Sequence, residues 1–173
     1  NYVGAFDGID CVITEKLHGT SFKAGWVKRG NKTISDRVLN FLFGRDVFAW
    51  RSMNIQLQGK ETVFGKIKSM LFKDNNKTYY DCDVYTKMCK QYDLKERLPK
   101  GYSITAEIVG SGIQKNYEYG CKDGEHRMAV FGVLRDDVNL PFKEAYEFVS
   151  KVGLAYVPVL YEGVFSEDVL KEC

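Results

Sequence analysis

The chain has 173 residues, 45% of them hydrophobic, enough for one compact core. Net charge is +2, so composition alone does not mark a nucleic-acid protein, and any basic groove must be local. The five cysteines, Cys11, Cys82, Cys89, Cys121 and Cys173, form no CxxC pair, and with only His18 and His126 they give no zinc spacing. An odd, scattered set reads as reduced thiols, hence a cytosolic or similar reducing compartment. No apolar run approaches the ~20 residues that a membrane span needs. Asn1-Tyr2-Val3-Gly4 lacks the basic start and apolar stretch of a signal peptide. The chain does not begin with Met and stops at Cys173 just after a helix start, so both ends are expected to be cut.

In chain order, Cys11-Val12-Ile13-Thr14 is β-branched and predicts a strand. Ser21 to Val27 predicts a second, closed by the turn Lys28-Arg29-Gly30-Asn31. Thr33 to Arg37 is compatible with a third. Residues 59–77 place Val63, Phe64, Ile67, Met70 and Leu71 on one helical face, and Lys60, Lys66, Lys68, Lys73 and Lys77 outweigh Glu61 and Asp74. That basic segment suits RNA, or it is a solvated surface helix. Asp81 to Arg97 keeps helical spacing through Val84, Tyr85, Met88, Tyr92 and Lys95 until Pro99-Lys100-Gly101 stops it. Tyr102 to Val109 alternates like a strand. Met128 to Leu134 is nearly continuous in apolar residues, as in a strand buried on both faces. Pro141 to Val152 predicts a helix with Pro at its first turn and Gly153 as its left-handed terminator. Tyr156 to Tyr161 predicts another strand, and Ser166 caps a helix with Glu167 and Asp168 in its first turn. The order indicates an α+β domain with a mostly antiparallel sheet.

The most informative stretch is Thr14-Glu15-Lys16-Leu17-His18-Gly19-Thr20-Ser21-Phe22, between the first two predicted strands. It pins Lys16 at a strand end beside a tight turn that Gly19 permits. Backbone N–H groups of such a turn can face a phosphate. A neutral lysine amine attacks phosphorus well once burial or cationic neighbours lower its pKa. By spacing alone, a surface lysine before a hairpin turn is the better account of the pattern, because single lysines are common near turns.

Glu15-Lys16-Leu17-His18-Gly19-Thr20-Ser21 resembles motif I of the covalent nucleotidyltransferases, whose general pattern is Lys-x-Asp-Gly. Histidine in place of the aspartate, followed by Gly-Thr, resembles the RNA ligase 2-like family, which includes phage RNA ligases and trypanosome RNA-editing ligases. That family often has Asn where this chain has Ser21. Ala106-Glu107-Ile108-Val109-Gly110-Ser111-Gly112-Ile113-Gln114-Lys115-Asn116 is similar to the family's motif III, with Ala106 for the usual Gly and Ser111 for the usual Pro. Met128-Ala129-Val130-Phe131-Gly132-Val133 resembles motif IIIa. The likeness runs from about Val12 to Lys171, and residues 40–100 match poorly in detail.

The resemblance implies an α+β nucleotidyltransferase (ATP-grasp-like adenylation) domain with mostly antiparallel sheets flanked by helices. Residues 1–173 are then the N-terminal part of a single such domain, incomplete at its C-terminus. It implies an ATP-dependent RNA ligase that stores AMP on Lys16, passes it to a 5′-phosphate RNA end and seals that end to a 3′-hydroxyl, with Mg²⁺ or Mn²⁺. The partners are RNA ends, nicked or single-stranded, and no membrane. Competing readings on the same residues are a DNA ligase or capping-type enzyme, and a non-catalytic RNA-binding remnant. His18-Gly19 and the Gly-Ile-Gln-Lys-Asn loop count against the first of these.

The matching positions give Lys16, His18 and Glu107 catalytic roles and place Glu15, Lys16, Leu17, Arg37, Glu107 and Phe131 around the nucleotide. His18 contacts the nucleotide or only hydrogen-bonds a neighbouring loop. Glu107 binds a ribose hydroxyl or helps hold the metal, unless it is an ordinary strand glutamate. Phe131 stacks on adenine, packs in the core, or does both. Arg37 is the choice for the motif Ia arginine, following a short strand, and Arg45 and Arg51 compete; a guanidinium grips phosphate in a fork and keeps its charge. Gln114, Lys115 and Asn116 fix their own loop or touch nucleic acid. Glu162-Gly163-Val164-Phe165 mimics motif IV, but the helix starting at Ser166 is expected to leave no room for a strand there. No Lys-x-Lys strand of the motif V type follows, so little lysyl-AMP is expected from these residues alone.

Overall fold

The computed structural model describes residues 3–28, 30, 34–52 and 83–173. The predicted helix at 59–77 lies outside them. After a 3-10 turn at Val3–Phe6, the elements are β1 (Asp10–Thr14), β2 (Thr20–Lys28), α1 (Ile34–Phe43), β3 (Asp46–Ser52), α2 (Val84–Gln91) and α3 (Leu94–Arg97). They continue with β4 (Tyr102–Gly110), β5 (His126–Arg135), β6 (Val138–Asn139), α4 (Phe142–Lys151), β7 (Val159–Val164) and α5 (Glu167–Glu172). Five strands form one antiparallel sheet in the order β3-β2-β4-β5-β6, and β1 pairs with β7 in a separate antiparallel ribbon.

One face of the large sheet makes the core. Phe22 and Ala24 of β2, Phe48 of β3, Ile104, Ala106 and Ile108 of β4, and Met128, Val130 and Val133 of β5 are all buried. Alternation puts them on a common side because successive strand residues point to opposite faces. Helix α2 covers that side with Val84, Tyr85 and Met88, and α4 with Ala145 and Val149. Truncating the fully buried Met88 to alanine would cost about 2–5 kcal/mol by lost transfer energy plus the cavity left behind.

Local chemistry sets the helix ends. Asp83 caps α2 by accepting from the Thr86 N–H at 3.0 Å. Gly153 terminates α4 at φ 69°, and the guanidinium of Arg97 donates to the carbonyls of Val152 (3.2 Å) and Gly153 (2.9 Å), which the helix leaves unpaired. The Ser166 hydroxyl accepts from Val169 N–H and starts α5, as the sequence predicts.

Five expectations need correction. Residues from Ile34 through Arg37 are helical, not extended, and belong to α1. Asp81–Arg97 is not one helix: Asp93 takes a left-handed φ of 48° and divides α2 from α3. The last strand is β7 at Val159–Val164, and Tyr156 makes only an isolated parallel bridge with Val130. Strand β7 therefore contains Glu162, Gly163 and Val164, where no room for a strand was expected; the cap at Ser166 sits far enough along for both. Strand β5 also differs from the reading of burial on both faces. Its apolar run has one core side, whereas Phe131 on the other is 44% exposed.

Candidate nucleotide site

The face of the large sheet opposite the core is open, and register decides which side chains reach it. Directly opposed residues of antiparallel strands share a face. Ser21 opposes Glu107, and Glu107 opposes Ala129. Lys23 opposes Thr105 on one flank and Arg51 on the other. These residues alternate with the buried Phe22, Ala24, Ala106, Ile108 and Met128, so they belong to the open side. The β4–β5 register shifts between Thr105 and Ala106, leaving Phe131 as an extra residue beside Gly132, opposite Thr105. A bulge of this kind turns a side chain out of the regular alternation. Tyr156 donates its hydroxyl to the Phe131 carbonyl at 3.0 Å and holds the bulge.

Lys16 lies in the crossing between the two sheets, in the segment joining β1 to β2. The start of that segment is tied down by the Glu15 N–H, which donates to Pro158 O at 2.9 Å. Its end is held by Glu107, whose Oε1 accepts from the Gly19 N–H at 3.1 Å, and by Gln114, whose Nε2 donates to Gly19 O at 3.4 Å. Gly19 is needed for a reason other than turn geometry. Its backbone φ is ordinary, but a Cβ there would stand 2.1 Å from the carbonyl oxygen of Ile108. The Lys16 side chain is exposed, Glu15 and Leu17 are half-buried, and Glu107 is half-buried at the foot of the turn. Burial pushes the Glu107 carboxyl above its ordinary range, against the pull of the Gly19 N–H and of the charges on Lys16 and His18. Lys16 and His18 are thus near enough for their charges to act on the Glu107 carboxyl.

His18 sits under a strap that carries no local signal in the sequence. Its N–H donates to the Tyr119 hydroxyl at 2.8 Å, across 101 residues of chain. Its ring lies against Tyr117 with centroids 4.7 Å apart. The loop-contact reading of His18 therefore describes its present partners. Gln114 likewise acts in fixing the turn. Lys115 and Asn116 are exposed and, with Gly112, Gln114 and Glu118, line an open depression of about 600 Å³.

The strap is anchored from below by a pair that sequence reading missed. His126 is buried; its Nε2 is 2.9 Å from Ser111 O and its Nδ1 is 3.0 Å from the Lys87 ammonium of α2. The ammonium can only donate, so Nδ1 accepts and Nε2 carries the proton. Lys87 also donates to Gly124 O at 2.7 Å. Desolvation and the Lys87 charge hold the imidazole below its usual value, which keeps it neutral.

Of the three arginines weighed, Arg37 lies on the exposed side of α1 and Arg45 in the short link after it. Arg51 lies at the end of β3, in register with Lys23 on the open face. Helix α1 is inserted between β2 and β3, so a residue of β3 lies far from Lys16 along the chain although β3 is the direct neighbour of β2 in the sheet. Among the described residues no group of three or more His, Cys, Asp or Glu side chains comes together.

A family model described as RNA ligase matches residues 9–173, nearly the whole length. The chain belongs to the RNA ligase family. No curated protein matches it significantly. Solved structures of the Naegleria gruberi RNA ligase share the fold. A lysine-to-alanine variant of that enzyme with ATP and Mn superposes with a TM-score of 0.61 at 14% identity, over 98% of this chain and 42% of that one. A glutamate-to-alanine variant with AMP and Mn gives 0.61 at 14% identity, over 98% and 41%. The complex with PPi gives 0.58 at 15% identity, over 92% and 39%. This RNA ligase family chain thus spans well under half the length of those structures, and the likeness establishes its α+β nucleotidyltransferase-type fold. Among the described residues no helix is long and apolar enough to cross a membrane.

Proposed function

We propose that this chain is the nucleotide-binding part of an ATP-dependent RNA ligase in which Lys16 forms lysyl-AMP. The observation that carries the reading is one open sheet face on which Glu107 and the bulged Phe131 stand beside the turn bearing Lys16. In the first step the Lys16 Nζ lone pair attacks the α-phosphorus of ATP. An N–P bond forms, the bond from the α-phosphorus to the bridging oxygen breaks, pyrophosphate leaves, and the amine sheds its proton. In the second, a 5′-phosphate oxygen of RNA displaces the lysine nitrogen, which regains a proton. In the third, a 3′-hydroxyl attacks that 5′-phosphate and AMP departs.

Each residue has a stated task. Phe131 supplies an exposed ring for the adenine, which gives affinity with little base discrimination. Glu107 faces the ribose or metal, and by holding the Gly19 N–H it also shapes the turn. Glu15 and Leu17 flank the base from the same turn, His18 steadies it beneath Tyr117 and Tyr119, and Arg51 takes the part first given to Arg37. A single carboxylate plus substrate phosphates is an ordinary way to hold Mg²⁺ or Mn²⁺, so Glu107 fits that role. Such a cation supplies charge neutralisation to the phosphates.

The test is transfer of label from α-labelled ATP to a denaturation-resistant protein adduct that is lost in Lys16→Ala. Adduct yield from residues 1–173 is expected to be low, because no Lys-x-Lys pair follows the Glu162-Gly163-Val164 segment within them, so calorimetric AMP binding is the companion measurement. A chain that neither labels nor binds AMP sinks the reading. Sealing of nicked RNA, RNA–DNA and DNA then separates an RNA ligase from its DNA and capping relatives.

A further inference from the structure

Two cations stand side by side on the open face. Lys23 of β2 is directly opposite Arg51 of β3. Like charges so opposed weaken an antiparallel pair, and the usual remedy is a carboxylate nearby. Among the described residues none makes an ion pair with either cation. The one acid that register brings close is Glu107, which opposes Ser21, the position before Lys23 on that face, and whose Oε1 is engaged with Gly19.

The order of the strands gives the pair a task. Reading across the sheet, β5 carries Phe131, β4 carries Glu107, β2 carries Ser21 and Lys23, and β3 carries Arg51. Neighbouring strands lie about 4.8 Å apart. A nucleotide with its base on Phe131 and its ribose at Glu107 therefore runs out with its phosphates over β2 and β3. We infer that Lys23 and Arg51 form a two-cation cradle for a phosphate group beyond the α-phosphate that Lys16 attacks. Two sources share that chemistry: the distal phosphates of ATP and the 5′-phosphate of the RNA end. The ammonium gives a movable point charge and the guanidinium a fixed fork, a combination suited to one phosphate. The mutual repulsion of the two cations becomes shared attraction once an anion lies over them.

This inference rests on the ligase reading for the place of the base and ribose, and the experiment keeps the two separate. Binding of AMP, ATP and a matched pair of oligoribonucleotides, with 5′-phosphate or 5′-hydroxyl, is measured for the chain by calorimetry at fixed low salt. Lys23→Met, Lys23→Gln and Lys23→Arg are compared with it. AMP affinity reports on the nucleoside end and on correct folding. The expected result is a preference for ATP over AMP, or for 5′-phosphate over 5′-hydroxyl RNA, that falls about tenfold in Lys23→Met and Lys23→Gln and is largely kept in Lys23→Arg. Which preference falls names the source. If wild type binds AMP but shows neither preference, or if both survive in the neutral variants, the cradle is refuted while the ligase reading stands. If AMP itself is not bound, both fail together. Retention of the adduct-forming lysine is irrelevant to all of these measurements, since binding alone is read.

Discussion

Replacing Gly19 by alanine tests the geometry of the site at its tightest point. The added methyl would lie 2.1 Å from Ile108 O and 3.0 Å from Val109 Cγ1. An ordinary carbon–oxygen contact is about 3.3 Å, so β4 or the turn must retreat by roughly 1 Å. Neither atom set is free to do so, because Thr20 and Ile108 are paired in the ladder and the obstructing oxygen is backbone. Overpacking of this kind costs about 1–3 kcal/mol. The Gly19 N–H bond to Glu107 is a charged hydrogen bond near the surface, and stretching it adds about 1 kcal/mol. The expected total is about 3 kcal/mol, which at a urea slope of about 2 kcal/mol/M moves the midpoint down by about 1.5 M with the slope unchanged. Thermal unfolding should fall by about 6–12 °C. Gly30→Ala is the control, since an added Cβ there meets nothing within 4 Å, and it should stay within about 0.5 kcal/mol of wild type. A Gly19→Ala protein as stable as the control would refute the close approach of β4 to the Lys16 turn. Adenylate labelling should drop in the same variant, because the turn that presents Lys16 moves off Glu107.

Tyr119→Phe removes the acceptor for the His18 N–H; a loss of about 1 kcal/mol of stability is expected, with adduct formation slowed more than ATP binding is weakened. An unchanged labelling rate would show that the strap has no part in presenting the turn. Glu107→Gln keeps an oxygen for Gly19 and relieves the burial of a charge, so its urea midpoint should equal or exceed wild type at neutral pH while labelling is lost. Full labelling in that variant would remove Glu107 from the chemistry. Arg51→Ala should abolish labelling and Arg37→Ala leave it near wild type, and the reverse order would restore Arg37 to the site. His126 has a folded pKa below its ordinary 6.5, so the native state holds fewer protons than the unfolded one in that window. Its stabilisation is complete above 6.5 and declines as pH falls through the folded value, as the Lys87–His126–Ser111 contacts give way. Denaturation at a series of pH values should show that decline in wild type and not in His126→Asn; identical profiles would rule it out.

Much of the molecule was legible because the signals are local. Strands β2, β4 and β5 announce themselves by alternation or apolar runs, the Ser166 cap and the Gly153 terminator by single residues whose chemistry acts within one turn, and the family by the Glu-Lys-Leu-His-Gly-Thr order. The failures are also physical. Residues 34–37 contain β-branched Ile34, yet Val38, Phe41 and Leu42 continue an apolar helical face that β propensity over five residues overlooks. Asp93 breaks the α2–α3 segment with a left-handed φ, which periodicity does not register.

Sequence alone pointed to Lys16, Glu107 and Phe131 as candidates for the chemistry, and determined the family and the class of domain that holds them. The placement of Glu107 and Phe131 on the open face, beside the turn that bears Lys16, was decided only in the folded chain. Register across β5, β4, β2 and β3 sets Arg51 beside Lys23 on the open face while Arg37 stays on α1, and turns Phe131 outward through a one-residue bulge. The Tyr119 contact with His18 and the Lys87 contact with His126 join residues 101 and 39 positions apart. Sequence pattern reports what a residue does to its neighbours along the chain. Such contacts exist only after strand pairing has closed the intervening loops, so no local pattern encodes them.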